Sequence, residues 1–242
     1  MLLYRYLLKA QIASRRKCSA CIKEGHIKVN GKVLRDPRVD IDEVNDTVLL
    51  NNKAIKLEEK EQIYIALNKP AGYICSLKDR HAKKKVVDLI DIKDRIYPVG
   101  RLDKNTKGLL LLTNDGELAH RVMHPRFKID KVYEVFIKPY LKKDDIRRIE
   151  KEVTLEEGQK VNAKVNTYNH DSENKGTVLK ITIHQGLKRQ IRRMFAALGY
   201  RVFDLIRLKV SNIELGQLRP GQYRNLNKNE VIDLKKMVGL HD

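Results

Sequence analysis

Along the N-terminal segment apolar residues recur at helical intervals. Leu3, Leu7 and Leu8 predict a first helix. Cys18, Cys21 and Ile22 predict the buried face of a second helix, from Arg15 to about Glu24, with Ser14 as its N-cap and Gly25 as its stop. The pattern then changes to alternation. Ile27 to Val29, a turn at Asn30-Gly31 and Lys32 to Leu34 predict a hairpin, and Thr47 to Leu50 a further strand. Lys56 to Gln62, with Glu58, Glu59 and Glu61, is polar throughout and predicts a linker.

Beyond the linker, Ile63 to Leu67 predicts a strand that ends where Asn68-Lys69-Pro70-Ala71-Gly72 forces a turn. The basic stretch from Lys78 to Lys85 predicts an exposed loop. Leu109 to Thr113 is a continuous apolar run of the buried-strand type. Asn114-Asp115-Gly116 turns the chain into a helix from Glu117 to His124, stopped by Pro125. Lys131 to Ile137 alternates, with Tyr133, Val135 and Ile137 on one face. Lys142 to Glu152 predicts a charged helix, Thr177 to His184 a strand, Arg189 to Leu198 a helix ended by Gly199, and Arg201 to Val210 a strand. Helices and strands mix without regular alternation, which predicts an α+β fold. The domains are expected at 1–58, with a linker at 59–62, and at 63–242. The chain has no internal repeat and no low-complexity tract.

Charge narrows the choice of partner. The 242 residues carry a formal net charge of +19, with a pI near 9.8, an excess that favours a polyanion. The basic residues are spread through predicted structure and not gathered on one amphipathic helix. No apolar run approaches the ~20 residues of a membrane span, so nucleic acid is expected over a membrane. The N-terminus has neither the basic start nor the cleavage site of a secretion signal. Three cysteines make no disulfide framework, and a cytoplasmic protein is expected. With no tryptophan and 6% aromatics, contact with nucleic acid is expected mainly through backbone phosphates, with one or two aromatics placed at a site.

Two segments bear chemistry. In Gly100-Arg101-Leu102-Asp103-Lys104-Asn105-Thr106-Lys107-Gly108, an arginine, a carboxylate and a threonine sit on a Gly-bounded loop feeding a buried strand. A rigid element presenting a short loop is where an enzyme places a reactive group. An ordinary turn with Asp103 in a surface ion pair fits the spacing equally well. In Lys188-Arg189-Gln190-Ile191-Arg192-Arg193-Met194-Phe195, the apolar residues share a helical face, Arg189 and Arg193 share another, and Arg192 is turned away from them. A solvated basic helix and a phosphate-gripping helix with one arginine diverted to a carboxylate both fit that pattern.

Other signals fall short. Cys18 and Cys21, with His26 nearby, have zinc-like spacing but lack a second ligand pair. His120 and His124 lack the glutamate of a zinc-protease motif, and no phosphate-binding glycine loop appears. Neither a metal nor a nucleotide cofactor is expected.

The segment from Gly100 to Gly116 resembles the signature around the catalytic aspartate of the pseudouridine synthases, in the branch that modifies ribosomal RNA. Three further features occur in family order: Leu67 to Gly72, Lys131-Val132-Tyr133, and Arg189 to Phe195, with Val202, Leu205, Arg207, Gly221 and Arg224 fitting downstream. Ala13-Ser14-Arg15-Arg16-Lys17 and Ile27 to Gly31 resemble the RNA-binding domain shared with ribosomal protein S-four. The resemblance covers nearly the whole chain. It implies a small S-four-like domain followed by a larger, mainly antiparallel catalytic domain.

The resemblance also implies an activity, the isomerisation of uridine to pseudouridine in ribosomal RNA without cofactor or metal. Asp103 would be the catalytic carboxylate, as nucleophile or as base on an elimination route. Such chemistry needs the base flipped out of its stack. Arg101 would fill the vacated space, Tyr133 pack on the flipped base, and Arg192 pair with Asp103. Arg15, Arg16, Lys17 and Lys23, with Gln190 and Arg193, would bind RNA. The central segment leans toward enzymes of the large-subunit RNA. A small-subunit enzyme and a non-catalytic ribosome-assembly factor are the alternatives, and a monomer is expected. Two departures stand out: Leu3-Tyr4 replaces an acidic residue common in relatives, and the basic run at His81 to Lys85 is richer than usual.

Overall fold

Helix α1 (Leu3–Lys9) turns Leu3, Tyr6 and Leu7 inward, and α2 (Arg15–Lys23) adds Cys18 and Ile22. The Ser14 hydroxyl accepts from the Lys17 amide at 3.4 Å, as expected of an N-cap. A hairpin of β1 (Ile27–Val29) and β2 (Lys32–Val33) follows. Its turn residues Asn30 and Gly31 both have positive φ, the geometry Asn-Gly turns favour. Strands β3 (Val48–Leu50) and β4 (Lys53–Ala54) complete a four-stranded antiparallel sheet ordered β2-β1-β3-β4. Ile27, Val29, Ile41 and Val48 close one core with the two helices, each such buried side chain contributing about 1.5–3 kcal/mol.

This computed structural model describes residues 1–57, 61–76 and 83–240. The chain divides into two units, Met1–Glu61 and Gln62–Asp242. The middle of the expected linker and residues 78–82 of the expected basic loop lie outside the described residues. Among the latter, Lys83 and Lys84 are exposed, and Lys85 bridges to Ile74 ahead of a 3-10 turn at Val86–Leu89.

The second unit contains β5 (Tyr64–Lys69), β6 (Tyr97–Val99), β7 (Lys107–Thr113), α3 (Gly116–Met123), β8 (Lys131–Lys138), α4 (Lys143–Lys151), β9 (Val153–Thr154) and β10 (Lys160–Val161). It continues with β11 (Lys164–Asp171), β12 (Gly176–Ile183), α5 (Gln190–Ala197), β13 (Arg201–Val210), β14 (Ile213–Glu214), β15 (Tyr223–Asn225) and α6 (Lys228–Met237). The main sheet runs β11-β12-β8-β13-β7-β5-β15, with β14 on β13 and β6 on β7. Every pairing in it is antiparallel except that of β7 with β13.

Burial explains the strand patterns. Leu110 and Leu112 of β7 enter a core shared with Tyr133, Val135, Ile137, Met194 and Phe195. Leu109 and Leu111 enter a second core under α3 and α6, so β7 is apolar on both faces. Strand β8 is fully buried only at Tyr133, Val135 and Ile137. Helix α3 starts where the Asp115 carboxylate accepts from the Glu117 and Leu118 amides and from the Tyr64 hydroxyl at 2.9 Å.

Several elements differ from the sequence expectation. β5 extends through Asn68 and Lys69, past the expected end at Leu67, and β7 begins two residues early at Lys107. The short strands β4, β6, β9, β10, β14 and β15, the polar edge strand β11 and the helix α6 were not expected. None of the three cysteines is in a disulfide among the described residues. No helix among the described residues is long and apolar enough to cross a membrane.

Candidate active site

One register line crosses the centre of the main sheet. Lys69 of β5 lies opposite Gly108 of β7, Gly108 opposite Arg207 of β13, and Arg207 opposite Tyr133 of β8. Partners in direct register present side chains to one face, and Gly108 leaves a gap in the line. A Cβ at Gly108 would stand 2.3 Å from the Arg207 carbonyl oxygen, and its φ is +101°. Only glycine lets β7 and β13 approach this closely.

The Asp103 loop is fastened over that line. The Thr106 amide donates to the Asp103 carbonyl at 3.0 Å, and the Gly72 amide to the Lys104 carbonyl at 2.8 Å. The Leu102 amide donates to the Cys75 sulfur at 3.3 Å, and Leu102 itself is buried in the core. Lys69 is fully buried. Its ammonium donates to the carbonyls of Pro70 at 3.0 Å, Lys104 at 3.2 Å and Thr106 at 2.8 Å. One cation thus ties the stretch after Asp103 to the end of β5, while Cys75 holds the residue before it.

Burial pushes the Lys69 ammonium down to about 8. The charges of Cys75 and Asp103 favour the ammonium, and that of Arg207 opposes it. The amine titrates near 8 in the fold and near 10.5 in the unfolded chain, so the buried charge costs about 3 kcal/mol below pH 8. That cost fades as pH rises from 8 towards 10.5. The loop contacts behave oppositely, because a neutral amine has one N–H fewer to donate. Turnover should therefore fall as pH rises through about 8, without a matching loss of fold stability. A pH–rate profile in which Lys69→Met lacks this limb and Lys131→Met keeps it would confirm the source. Lys131, also lowered to about 8 by burial, holds the Ile129 and His184 carbonyls.

Arg207 is also buried, with 3% of its surface exposed. Its Nε donates to the Leu109 carbonyl at 2.7 Å and its Nη1 reaches the Tyr133 hydroxyl at 3.5 Å. Its Nη2 has no hydrogen-bond partner, nor has the buried Thr106 hydroxyl. Such unsatisfied buried groups suit a site completed by a polar ligand.

The sequence-derived residues fall into two groups. Asp103 is half-buried, Tyr133 buried and Arg101 exposed. Arg192, on α5, donates through Nη1 to the Val202 carbonyl at 2.9 Å, and its Nε has no partner. Burial and then the Arg189 charge lower its pKa, while Asp103 and Asp204 oppose that shift. Asp103 and Arg192 are within electrostatic reach, but among the described residues the Asp103 carboxylate is in no ion pair or hydrogen bond. Gln190 is 3% exposed, with its Oε1 accepting from the Leu187 amide. Arg193 pairs with Glu157 and donates to the Lys188 carbonyl. Both point into the protein's own structure. On the first unit, Arg15, Arg16, Lys17 and Lys23 are all exposed, and Arg15 lies over the Tyr4 ring. Cys18 is buried, and no group of three His, Cys, Asp or Glu among the described residues is placed to hold a metal.

Sequence reasoning gave no site role to Lys69 or Arg207. Each stood inside a quoted motif, and only the sheet register brings them together.

A carboxylate on a loop tethered to a buried lysine, whose register line continues through a buried arginine to a buried tyrosine, offers the groups that acid–base or nucleophilic chemistry uses. Residues 63–197 match the model of the RNA pseudouridylate synthases, and residues 2–56 that of the S4 domain. The chain is 41% identical over 240 residues to an RNA pseudouridine synthase of Aquifex aeolicus (strain VF5), covering 98% of this chain and 94% of that one. It is 40% identical over 237 residues to ribosomal large subunit pseudouridine synthase B of Bacillus subtilis (strain 168), covering 98% and 96%. A crystal structure of a pseudouridylate synthase superposes with a TM-score of 0.69 at 27% identity, over 97% of this chain and 99% of that one. The chain belongs to the RNA pseudouridine synthase family, and its substrate is RNA.

Proposed function

We propose that this protein isomerises uridine to pseudouridine in large-subunit ribosomal RNA, with Asp103 as the catalytic carboxylate. The reaction breaks the bond from the base nitrogen N1 to the sugar C1′ and joins C1′ to C5. The C5 proton leaves, N1 is protonated, and nothing is oxidised or reduced. The observation that carries the assignment is the tethering of the Asp103 loop to the buried Lys69 by two lysine–carbonyl bonds, at Lys104 and Thr106, in a line that continues through Arg207 to Tyr133. The Asp103 carboxylate forms no ion pair among the described residues, so it is free to meet a substrate.

Tyr133 packs against the flipped uracil, and the Arg207 guanidinium beside its hydroxyl orients that group. Arg101, exposed at the start of the loop, fills the space the base leaves. Arg192 supplies positive charge within electrostatic reach of Asp103. The exposed Arg15, Arg16, Lys17 and Lys23 grip phosphates of folded RNA, the amino end of α2 adding its dipole. Gln190 and Arg193 support the site from within. The division of labour follows the sequence boundaries, with RNA capture in 1–58 and chemistry in 63–242. The protein works in the cytoplasm, as a monomer, with no nucleotide cofactor or metal.

Isomerisation at C5 releases that carbon's hydrogen, so transcripts carrying tritium at uridine C5 report turnover directly. Tritium release is expected from unmodified large-subunit RNA, at one or a few positions mapped by carbodiimide-dependent primer-extension stops. Release confined to small-subunit RNA would reassign the substrate, and no release from either RNA would sink the enzyme reading.

A further inference from the structure

On the face of β8 turned away from Tyr133, the sheet carries two aromatic rings that the catalytic site does not use. Phe203 of β13 is 48% exposed. The register of β13 against β8 shifts between Val202 and Asp204, so Phe203 is the extra residue of a bulge. Bulges re-aim a side chain, and this one sends the ring outward. Phe136 of β8 lies 6.1 Å from it, tilted by 53°. The Phe136 ring occupies the place of a missing side chain, because a Cβ on Gly176 would stand 2.6 Å from its edge.

Two cations bracket the rings. The Lys138 ammonium is 5.1 Å from the centre of Phe203 and 5.7 Å from that of Phe136. The Arg201 guanidinium is 5.0 Å from the Phe203 centre. Of the nearby acids, Asp204 pairs with Lys107 at 2.6 Å and Asp171 holds Asn174 at 2.9 Å while feeling Lys138 weakly, whereas Glu134 stands opposite Lys180 in the strand register and pairs with neither Lys138 nor Arg201. Neither Lys138 nor Arg201 is in an ion pair with a described residue. The core beneath α3 and α6 includes residues of β5, β7 and β13 and none of β8, β11 or β12. This half of the sheet therefore keeps an open face.

We propose that this face is a second RNA-contact surface, on which Phe203 stacks an unpaired base while Lys138 and Arg201 take the adjoining phosphates. Stacked aromatic rings bounded by unpaired cations are complementary to single-stranded nucleic acid, since every base has a π-face and every link a negative charge. The surface rests on the RNA-modifying reading and extends it. It holds a segment flanking the target, apart from the carboxylate that does the chemistry.

The test uses the full chain and an unstructured ten-nucleotide RNA carrying 4-thiouridine. Irradiation is expected to crosslink the tryptic peptide spanning residues 202–207. Phe203→Ala should remove that crosslink and weaken binding about tenfold by fluorescence anisotropy, whereas Phe203→Tyr should stay within about twofold of the wild type. Tritium release at saturating ribosomal RNA should be unchanged in Phe203→Ala. No crosslink in that peptide, or a Phe203→Ala variant that binds and crosslinks as the wild type does, overturns the surface and assigns the rings to a protein partner. Absence of tritium release from the wild type would instead overturn the enzyme reading, so the two failures are separately visible.

Discussion

Asp103→Asn is expected to lower pseudouridine formation by about 10⁴-fold or more while RNA affinity changes less than about threefold. The amide has the same shape but can neither attack the sugar or base nor accept a proton at neutral pH. The fold should not notice the change. The Asp103 side chain is half-buried and its carboxylate accepts no hydrogen bond among the described residues, so no structural contact is lost, and such replacements usually stay within about 0.5 kcal/mol. Its charge supports the Lys69 ammonium and the Arg192 guanidinium, so both should titrate lower in the variant. Single-turnover tritium release, read beside a filter-binding titration, separates chemistry from capture. Turnover within tenfold of the wild type would remove Asp103 from the mechanism.

The second large effect is expected at a residue that touches no substrate. Gly108→Ala should cost about 3–5 kcal/mol of stability and abolish turnover with it. The added methyl carbon would meet the Arg207 carbonyl oxygen at 2.3 Å and its amide nitrogen at 2.7 Å, both of them backbone atoms. Backbone cannot swing aside as a side-chain tip can, and an alanine at φ +101° is strained before any clash. Relief requires β7 and β13 to part, which moves the Asp103 loop away from Arg207. Gly186→Ala is the control, with nothing within 4 Å of its added carbon. Urea unfolding midpoints of the two variants should differ clearly. A Gly108→Ala protein as stable as the control would show that the strands separate at little cost.

The legible parts of this chain were those where one local rule decided the outcome. Ser14 and Gly25 bracketed α2, and Asn30-Gly31 set the first hairpin. Asp115 capped α3 with its own carboxylate. β11 was hidden because an edge strand with one face in solvent is free to be polar, as Asn166, Thr167 and Asn169 are. α6 was missed although Asn227 and Glu230 form a capping box ahead of Val231 and Leu234. The Asn-x-x-Glu signal was present and went unread. Asp103 was visible through its motif. Lys69 and Arg207 were not, because a buried cation has no periodic signature, and their partnership depends on pairing β5, β7 and β13 across more than a hundred residues.

That pairing also bears on how the protein is made. β7 is hydrogen-bonded on one side to β5, which precedes it by about forty residues, and on the other to β13, about a hundred residues later. β8 makes an antiparallel pair with β12 early in the sequence and waits for the same β13. A nascent chain can thus assemble two separate half-sheets, each with an open flank, before the strand that joins them has been synthesised. Closing so distant a contact is slow and entropically costly. Until it closes, Arg207 is not beside Tyr133, and the site proposed around Asp103 is incomplete on a growing chain.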